Sequence, residues 1–348
     1  MLMRALLTEV INGAPDMEVV GAAPDPIAAR EMIKSLNPDV MTLDVEMPKM
    51  DGLEFLSRVM RLRPMPVVMI SSHTERGSEV TLQALELGAV DFISKPRAEY
   101  GALLQGYADE IRDKIRGARH AQVRVSRRDG TAAAAPPDRP GDARSGLSPA
   151  FLSSRMIAIG ASTGGTEAIK DVLCSLPEDV PGIVMVQHMP ETFTPSFAKR
   201  LDSVSRLRVV EAQGGEKIVP GYAFLAPGHS HMVVRKSGAG WVTELLKTEP
   251  VNRHRPAADV LFDSVAEQVG HNALGVILTG MGKDGAQGLL HMRQKGAWNV
   301  GQDQASCVVY GMPKEAAAVG ALNDVAPLCE VGARIIAQLK SQERSSRP

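Results

Sequence analysis

Cysteine and long apolar runs are scarce in this chain of 348 residues, and its net charge is close to zero. The three cysteines, Cys174, Cys307 and Cys329, are odd in number, far apart and never in a C-x-x-C pair. This spacing argues against a disulfide framework and against a zinc site. A chain with so few cysteines is expected to work in a reducing, cytoplasmic location.

The sequence also argues against a membrane-spanning protein and against a nucleic-acid-binding protein. No apolar run approaches the roughly 18 to 20 residues that a membrane-spanning helix needs, and residues 1–10 lack a signal-peptide cleavage pattern. The formal net charge of -1 provides no overall attraction to nucleic acid or to an anionic membrane. We therefore expect no nucleic-acid partner and no direct membrane insertion. The length allows about two domains.

The first hundred residues alternate between helical and strand patterns, which predicts a parallel sheet. Helical spacing covers 2–12, 26–36 and 80–87, and strand patterns cover 18–23, 39–44, 66–72 and 89–93. In such sheets, functional groups gather at the carboxyl ends of the strands. Asp44, Ser71 and Lys95 all lie at predicted strand ends.

These three side chains have a shared chemical logic. A carboxylate accepts a phosphoryl group, a lysine pairs with it and a hydroxyl bonds to it, although each residue alone is typical of an ordinary solvated loop. With residues 47–52 after Asp44 and Pro96 after Lys95, the segment resembles a two-component receiver domain. The resemblance implies a flavodoxin-type sheet, Mg²⁺-dependent phosphorylation at Asp44, a hydroxyl switch at Ser71 and a pairing role for Lys95.

One departure from the receiver pattern concerns magnesium. Receivers open with a strand that ends in paired acidic residues, whereas this sequence starts inside the first helical pattern, at residues 2–4. We therefore expect a truncated receiver that lacks its first strand and two magnesium ligands. The Asp44 carboxylate and the Glu46 backbone remain as candidate ligands, and we expect phosphorylation to be impaired.

A linker is predicted after the receiver. Residues 120–148 are rich in alanine, proline, glycine and arginine, a composition that buries too little apolar surface to offset the entropy of ordering. No aromatic residue is interleaved with the arginines, so a solvated tether is favoured over a polyanion-binding arm. The predicted organisation is a receiver over 1–103, a flexible linker over 104–152, a second domain over 153–341 and a tail over 342–348.

In the second domain, chemically active side chains follow three apolar strand patterns. Ser162 lies in a glycine-rich turn that fits the G-x-S-x-G pattern, His188 precedes the strand-stopping Pro190, and Asp284 follows a glycine turn. If the sheet is parallel, these ends share one edge. The three strand patterns are 156–159, 182–187 and 274–279.

A hydroxyl, an imidazole and a carboxylate are the set that nucleophilic hydrolysis needs. Histidine takes the serine proton, and a buried carboxylate orients the imidazole. Backbone N–H groups at 280–282 or at the 163–164 turn are candidate oxyanion donors. The plainer alternatives are a glycine loop that caps a helix, a structural histidine, and Asp284 as the N-cap of the helix after it.

Several longer motifs resemble the CheB family of chemotaxis protein-glutamate methylesterases, over about residues 153–341. The resemblance implies a Rossmann-like doubly wound domain with a catalytic triad of Ser162, His188 and Asp284, and no catalytic cofactor. It also implies that the Met281 backbone helps to hold the oxyanion and that Thr163 supports the nucleophile. The motifs are 160–165, 187–190, 225–228, 252–256, 279–285 and 310–313.

The resemblance further implies an activity and its partners. The enzyme would hydrolyse glutamate methyl esters on methyl-accepting chemotaxis receptors, releasing methanol, and would deamidate particular receptor glutamines. A chemotaxis histidine kinase would be the phosphodonor for the receiver. The unphosphorylated receiver would cover the edge of the active site, and phosphorylation would release it.

Other histidines and arginines are less decisive. His229 and His231 would share one face of a strand without a third ligand, which favours a plain surface strand over a metal site. His254 is a candidate for lining the cleft, and Arg253 and Arg255 for meeting an acidic receptor segment. A solvated loop is the alternative.

Three other functions remain open. A nucleotide-binding module is disfavoured because the 160–165 loop lacks G-x-G-x-x-G and the P-loop pattern. A lipase-like α/β-hydrolase would have the order serine, acid, histidine, whereas here the histidine precedes the acid. A signalling scaffold without catalysis would tolerate the loss of Ser162.

Overall fold

The computed structural model of the chain describes residues 2–47, 50–72, 74–95, 104–123 and 144–346, in two compact units that divide after residue 127. Residues 124–143 of the predicted linker lie outside the described residues, as do Pro48, Lys49 and Pro96 of the receiver motifs. Within the described ranges, no helix is long and apolar enough to cross a bilayer.

The first unit is built on a parallel sheet with the strand order β1-β2-β3. Asp44 pairs with Ile70, and Ser71 pairs with Ser94, so the predicted strand ends do share one edge. The elements are α1 (Leu2–Asn12), α2 (Pro26–Leu36), β1 (Met41–Asp44), α3 (Gly52–Leu62), β2 (Val67–Ser71), α4 (Glu75–Glu86), β3 (Asp91–Ser94) and α5 (Leu104–Arg119).

The strand predicted over residues 18–23 is wrong. That segment has no regular secondary structure, and it pairs with no strand among the described residues. A strand requires a neighbour that takes its backbone hydrogen bonds, and the Val19 N–H instead donates to Oδ1 of Asn12, at 2.7 Å. Val20 is 48% exposed, so the apolar pattern here does not mark a buried strand.

The segment predicted as linker is folded at both ends. Helix α5 packs against α1 and β3 in the first unit. In the second unit, the Ser145 N–H donates to Asp179, at 2.5 Å, and the Ser148 N–H donates to the buried Glu343, at 2.8 Å. The last helix also continues to residue 346, through most of the predicted tail.

The second unit contains a seven-stranded, all-parallel sheet of order β12-β11-β10-β4-β5-β7-β6, and an antiparallel hairpin of β8 and β9. Its elements are α6 (Pro149–Ser153), β4 (Met156–Ala161), α7 (Gly165–Ser175), β5 (Gly182–Gln187), α8 (Thr194–Val204), β6 (Arg208–Glu211), β7 (Tyr222–Leu225), β8 (His231–Ser237), β9 (Gly240–Leu246), α9 (Ala258–Gln268), β10 (Ala273–Ile277), α10 (Ala286–Gln294), β11 (Trp298–Gln302), α11 (Met312–Ala318), β12 (Asp324–Ala326) and α12 (Leu328–Ser346).

The strand order reverses around β4, and this reversal positions the candidate site. From β4 the chain moves outward through β5, and later returns to the other side of β4 as β10. Ala161 pairs with Gln187, and Gly160 pairs with Ile277, so the ends of the three strands lie side by side. Ligands of open parallel sheets bind in the crevice at such a reversal.

Small residues let α9 approach this crevice. A Cβ atom at Gly160 would lie 2.9 Å from Cζ of Phe262, and one at Gly288 would lie 2.6 Å from Cβ of Phe262. The Phe262 side chain is fully buried in the resulting groove, which stabilises the fold by about 2–3 kcal/mol. The N-terminus of α9 is thereby brought to the end of β10.

Candidate active site

Ser162 lies in a tight turn between β4 and α7. Its backbone N–H donates to the Thr279 carbonyl, at 3.1 Å, and its own carbonyl accepts from the Gly165 N–H, at 2.7 Å. Gly164 has φ +75°, and a Cβ there would lie 2.6 Å from Cβ of Val308, so the turn requires glycine. The residue is partly exposed, as a strand-to-helix nucleophile turn requires.

His188 follows β5 and is almost completely enclosed. Its Nε2 lies 2.7 Å from Oδ2 of Asp284, and the two side chains are 6% and 2% exposed. Its Nδ1 is also buried, yet no described residue is hydrogen-bonded to it. With Nε2 donating to the carboxylate, Nδ1 carries the lone pair and is the nitrogen that can accept a proton. The ring of His254 stacks on that of His188.

Asp284 is held as a carboxylate at the N-terminus of α9. Its oxygens accept from the Ala258 N–H (2.6 Å), the Asp259 N–H (3.2 Å) and the Asn252 side-chain amide (2.7 Å). Burial alone would raise the pKa of Asp284, but the hydrogen bond and charge of His188, with the Asn252 and Ala258 donors, lower it to about 2.

The alternative in which Asp284 is the N-cap of α10 is wrong. Gly285 occupies that position, with φ +87°, and no side chain caps the helix. Asp284 instead accepts from the first N–H groups of α9, a helix that precedes it in the chain. Because the donors on α9 are distant from Asp284 in the sequence, the local sequence pattern does not predict this contact.

The glycine loop after β10 lies against Ser162. A Cβ at Gly280 would lie 2.8 Å from Cβ of Ser162. The Gly280 N–H donates to the Val309 carbonyl, at 3.1 Å, while the Met281 N–H donates to no described backbone or side-chain acceptor. The Met281 N–H therefore remains a candidate donor to an oxyanion beside Ser162.

Thr163 is joined to Thr279 through its backbone carbonyl. The residue is 5% exposed, and its carbonyl accepts from Oγ1 of Thr279, at 3.0 Å. Thr279 also binds the Val309 backbone, since its Oγ1 accepts from the Val309 N–H at 2.9 Å. These bonds join the Ser162 turn to the glycine loop.

The sequence patterns assigned no role to two polar residues beside the site. The Gln187 amide donates to the carbonyls of Ser162 (2.9 Å) and His188 (3.2 Å). The Asn252 amide donates both to Asp284 and to Asp259, at 2.7 Å each. Gln187 and Asn252 lie inside the CheB-like motifs 187–190 and 252–256, and this is the one sequence signal that points to them.

His229 and His231 were both expected to lie on a surface strand, and for His231 this expectation is wrong. That side chain is fully buried, with Nδ1 accepting from the Ala257 N–H (3.1 Å) and Nε2 donating to the Glu249 carbonyl (3.0 Å). The His231 ring therefore anchors the backbone immediately before α9. Arg255 donates to the Thr248 carbonyl, at 3.0 Å.

In the first unit, two of the three predicted receiver residues are in contact. Lys95 Nζ lies 2.9 Å from Oδ1 of Asp44 and 3.4 Å from Oε2 of Glu46. Ser71 is fully buried, and its hydroxyl donates to the Gly77 carbonyl, at 3.1 Å, next to Thr81 Oγ1 at 2.6 Å. The hydroxyl is thus engaged with α4 rather than with Asp44.

The described residues of the first unit do not by themselves fit a magnesium site. Where the structure describes the chain, no three histidine, cysteine or acidic side chains are placed to hold a metal ion. The Lys95 ammonium lies against both Asp44 and Glu46, and the Glu46 N–H donates to Oδ1 of Asp44, at 2.9 Å. One carboxylate oxygen is therefore already shared by two donors.

Sequence and structure comparisons agree with this geometry. The family described as CheB methylesterase matches residues 157–335, and the response regulator receiver domain matches residues 1–104. A protein-glutamate methylesterase/protein-glutamine glutaminase of Nitrosomonas europaea is 60% identical over 341 residues, which cover 97% of this chain and 94% of that protein. One from Dechloromonas aromatica is 61% identical over 335 residues, covering 96% and 95%.

A solved structure is also similar. The CheB methylesterase catalytic domain of Thermotoga maritima is 38% identical, with a TM-score of 0.52, and covers 53% of this chain and 98% of that chain. The doubly wound sheet of the second unit agrees with the fold class inferred from the sequence. The chain belongs to the CheB methylesterase family and carries a response regulator receiver domain in its first unit.

Proposed function

We propose that the second unit is a serine carboxylesterase that hydrolyses glutamate methyl esters of methyl-accepting chemotaxis receptors and deamidates particular receptor glutamines. The relatives are protein-glutamate methylesterases/protein-glutamine glutaminases, which supports protein glutamate methyl esters and protein glutamines as the substrates. The observation that carries the proposal is His188, which bonds a buried carboxylate through Nε2 and has a buried Nδ1 to which no residue of the described ranges is hydrogen-bonded. That is the arrangement of a general base awaiting a proton donor.

The reaction follows from these atoms. Oγ of Ser162 attacks the ester carbonyl carbon while Nδ1 of His188 takes its proton, and Asp284 stabilises the imidazolium that forms. The carbonyl oxygen becomes an oxyanion, which the Met281 N–H stabilises, an interaction worth on the order of 10²–10³-fold in rate. The tetrahedral intermediate then collapses to the acyl-serine. As it does so, the methoxy group takes the proton from His188 and leaves as methanol.

A water molecule completes the cycle. His188 takes a proton from the water as it attacks the acyl-serine carbonyl, and returns that proton to Oγ of Ser162 as the bond breaks. The products are a glutamate side chain and the free enzyme. An amide follows the same steps, with ammonia as the leaving group, and depends more strongly on protonation by His188.

The first unit regulates this activity through Asp44. A phosphoryl group on Asp44 would lie beside the Lys95 ammonium, now 2.9 Å from the carboxylate, and gain charge-assisted hydrogen bonds. For the Ser71 hydroxyl to bond this group, it would have to leave the Gly77 carbonyl on α4. A chemotaxis histidine kinase is the proposed phosphodonor, and the three free cysteines accord with a cytoplasmic location.

Methanol release from membranes that contain methylated receptors tests the proposal. We expect release by the full chain and blank-level release by Ser162→Ala. Stimulation by a small-molecule phosphodonor should be weak, because the described residues of the first unit do not by themselves fit a magnesium site. Asp44→Asn should keep basal release and lose the stimulation. Ser203→Ala, at an exposed serine on α8, is the matched control. Unchanged release by Ser162→Ala would contradict the esterase, and stimulation of Asp44→Asn would contradict the switch.

A further inference from the structure

A single side-chain amide bridges two buried carboxylates at the candidate active site. Nδ2 of Asn252 lies 2.7 Å from Oδ1 of Asp284 and 2.7 Å from Oδ2 of Asp259. An amide nitrogen carries two hydrogens, so it can donate one to each carboxylate. The two acids are 2% and 9% exposed, whereas Asn252 itself lies at the surface.

The two oxygens of Asp284 have different partners. Oδ2 faces His188 Nε2, at 2.7 Å, and also accepts from the Ala258 N–H, at 2.6 Å. Oδ1 accepts from Asn252, at 2.7 Å, and from the Asp259 N–H over a longer 3.2 Å. Without the Asn252 amide, Oδ1 would keep only the longer bond, and the orientation of the carboxylate relative to His188 would be less restrained.

Asp259 connects this arrangement to the next helix. Its Oδ1 accepts from the Gly288 N–H on α10, at 2.7 Å. Burial, together with the neighbouring charge of Asp284, raises the pKa of Asp259, so the two carboxylates oppose one another. A donor placed between them offsets that repulsion while both remain ionised.

The backbone at this position accepts few residues. Asn252 has φ +53°, in the left-handed region that asparagine, aspartate and glycine adopt most readily. Asn252→Gly therefore deletes the amide without adding backbone strain. Asn252→Asp keeps the shape of the side chain and replaces its two donors with a carboxyl group.

We infer that Asn252 is a positioning residue of the esterase, which holds Asp284 against His188 by donating simultaneously to Asp284 and Asp259. The inference rests on the proposed function, because it acts through the base that would activate Ser162. Other titratable groups act on the same centre: His254 stacks on His188, and the charge of Asp263 acts on Asp259.

The pH profile of kcat separates this role from a purely structural one. We expect both Asn252 variants to lower kcat by about 10- to 100-fold, with KM little changed, because a hydrogen bond to a charged group is lost. Each variant removes the N–H donor that holds Asp284 against His188, so the carboxylate stabilises the imidazolium form less. The acid limb of the profile should therefore move to lower pH, by about half a pH unit or more.

Asn37→Gly is the matched control, because Asn37 is a left-handed asparagine (φ +47°) in the first unit. It should leave kcat and the pH profile unchanged. Loss of activity in proportion to lost thermal stability, with the acid limb in place, would overturn the inference. Wild-type kcat in both Asn252 variants would do the same.

A receptor-free measurement keeps the two proposals distinguishable. The rate at which a fluorophosphonate labels Ser162 also depends on His188, so its pH dependence in the full-length wild type and Asn252 variants should show the same shift. Labelling without methanol release would contradict the proposed substrate while still testing Asn252. An identical pH dependence of labelling in all chains would overturn the role of Asn252 alone.

Discussion

The imidazole rings of His188 and His254 are stacked, with centroids 3.7 Å apart and planes inclined by 14°. His188 is fixed at its edge by Asp284 and on its face by His254. The hydrogen bond sets which nitrogen faces the carboxylate, and the stack restricts rotation of the ring. Together, the hydrogen bond and the stack hold Nδ1 of His188 in one orientation.

Removing the stack should weaken the base. We expect His254→Ala to lower kcat by about 2- to 10-fold, the range that corresponds to an aromatic pair. His254→Phe retains a flat ring and should stay within about 2-fold of wild type. Steady-state methanol release measures both. Equal activity of the alanine and phenylalanine variants would show that the stack contributes nothing.

The Gln187 amide should contribute both to the stability of the fold and to the activity. Its amide donates to the carbonyls of both Ser162 and His188 from a side chain that is 3% exposed. Gln187→Glu would place an acceptor against two acceptors, so we expect a loss of about 2 kcal/mol in the free energy of unfolding and a lower kcat. Urea unfolding and methanol release check this.

The matched change is Gln294→Glu, at an exposed position near the end of α10. It should change the free energy of unfolding by no more than about 0.5 kcal/mol. A Gln187→Glu variant as stable and active as this control would mean that the two carbonyls do not need the amide.

Gly280 should be required for activity more than for folding. A Cβ there would clash with Sδ of Met312 and would lie 2.8 Å from Cβ and 3.0 Å from N of Ser162, so the nucleophile turn would have to shift. We expect Gly280→Ala to lower kcat by about 10- to 100-fold, since small displacements of reacting groups are costly. Gly240→Ala, which meets nothing within 4 Å, is the control and should keep wild-type kcat.

Asp284 should make the second unit sensitive to acid. Its pKa in the folded protein, about 2, lies below the ordinary 3.8, so folding favours the carboxylate form. The resulting stabilisation, on the order of 2 kcal/mol, is present above about pH 4 and is lost as the pH falls towards 2.

Asp284→Asn removes this contribution, so between pH 4 and 2 the wild type should lose more stability than the variant. Denaturation followed by tryptophan fluorescence reports on the second unit, because Trp241 and Trp298, the two tryptophans of the chain, both lie there. Parallel losses in the two proteins would contradict the low pKa of Asp284.

The sequence was most informative where local patterns decide the structure. Short apolar runs that end in glycine or proline predicted β4, β5 and β10, and parallel pairing brought Ser162, His188 and the loop of Asp284 to one edge. The strand over 18–23 failed because strand formation depends on a neighbour that the local pattern does not reveal.

The supporting contacts could not be predicted because they join distant positions. Asp284 accepts from N–H groups at Ala258 and Asp259, and these bonds arise only once α9 packs over Gly160. The same holds for His231 and the Ala257 N–H. Their partners depend on how helices dock on the sheet, which apolar periodicity does not specify.

The most direct test of the account is mass spectrometry of the full chain after reaction with a fluorophosphonate. We expect one adduct, on the peptide that contains Ser162, with a labelling rate that falls by about 10²-fold or more in His188→Ala. Modification at a different residue, or equal rates in wild type and His188→Ala, would contradict the claim that His188 activates Ser162 as the nucleophile.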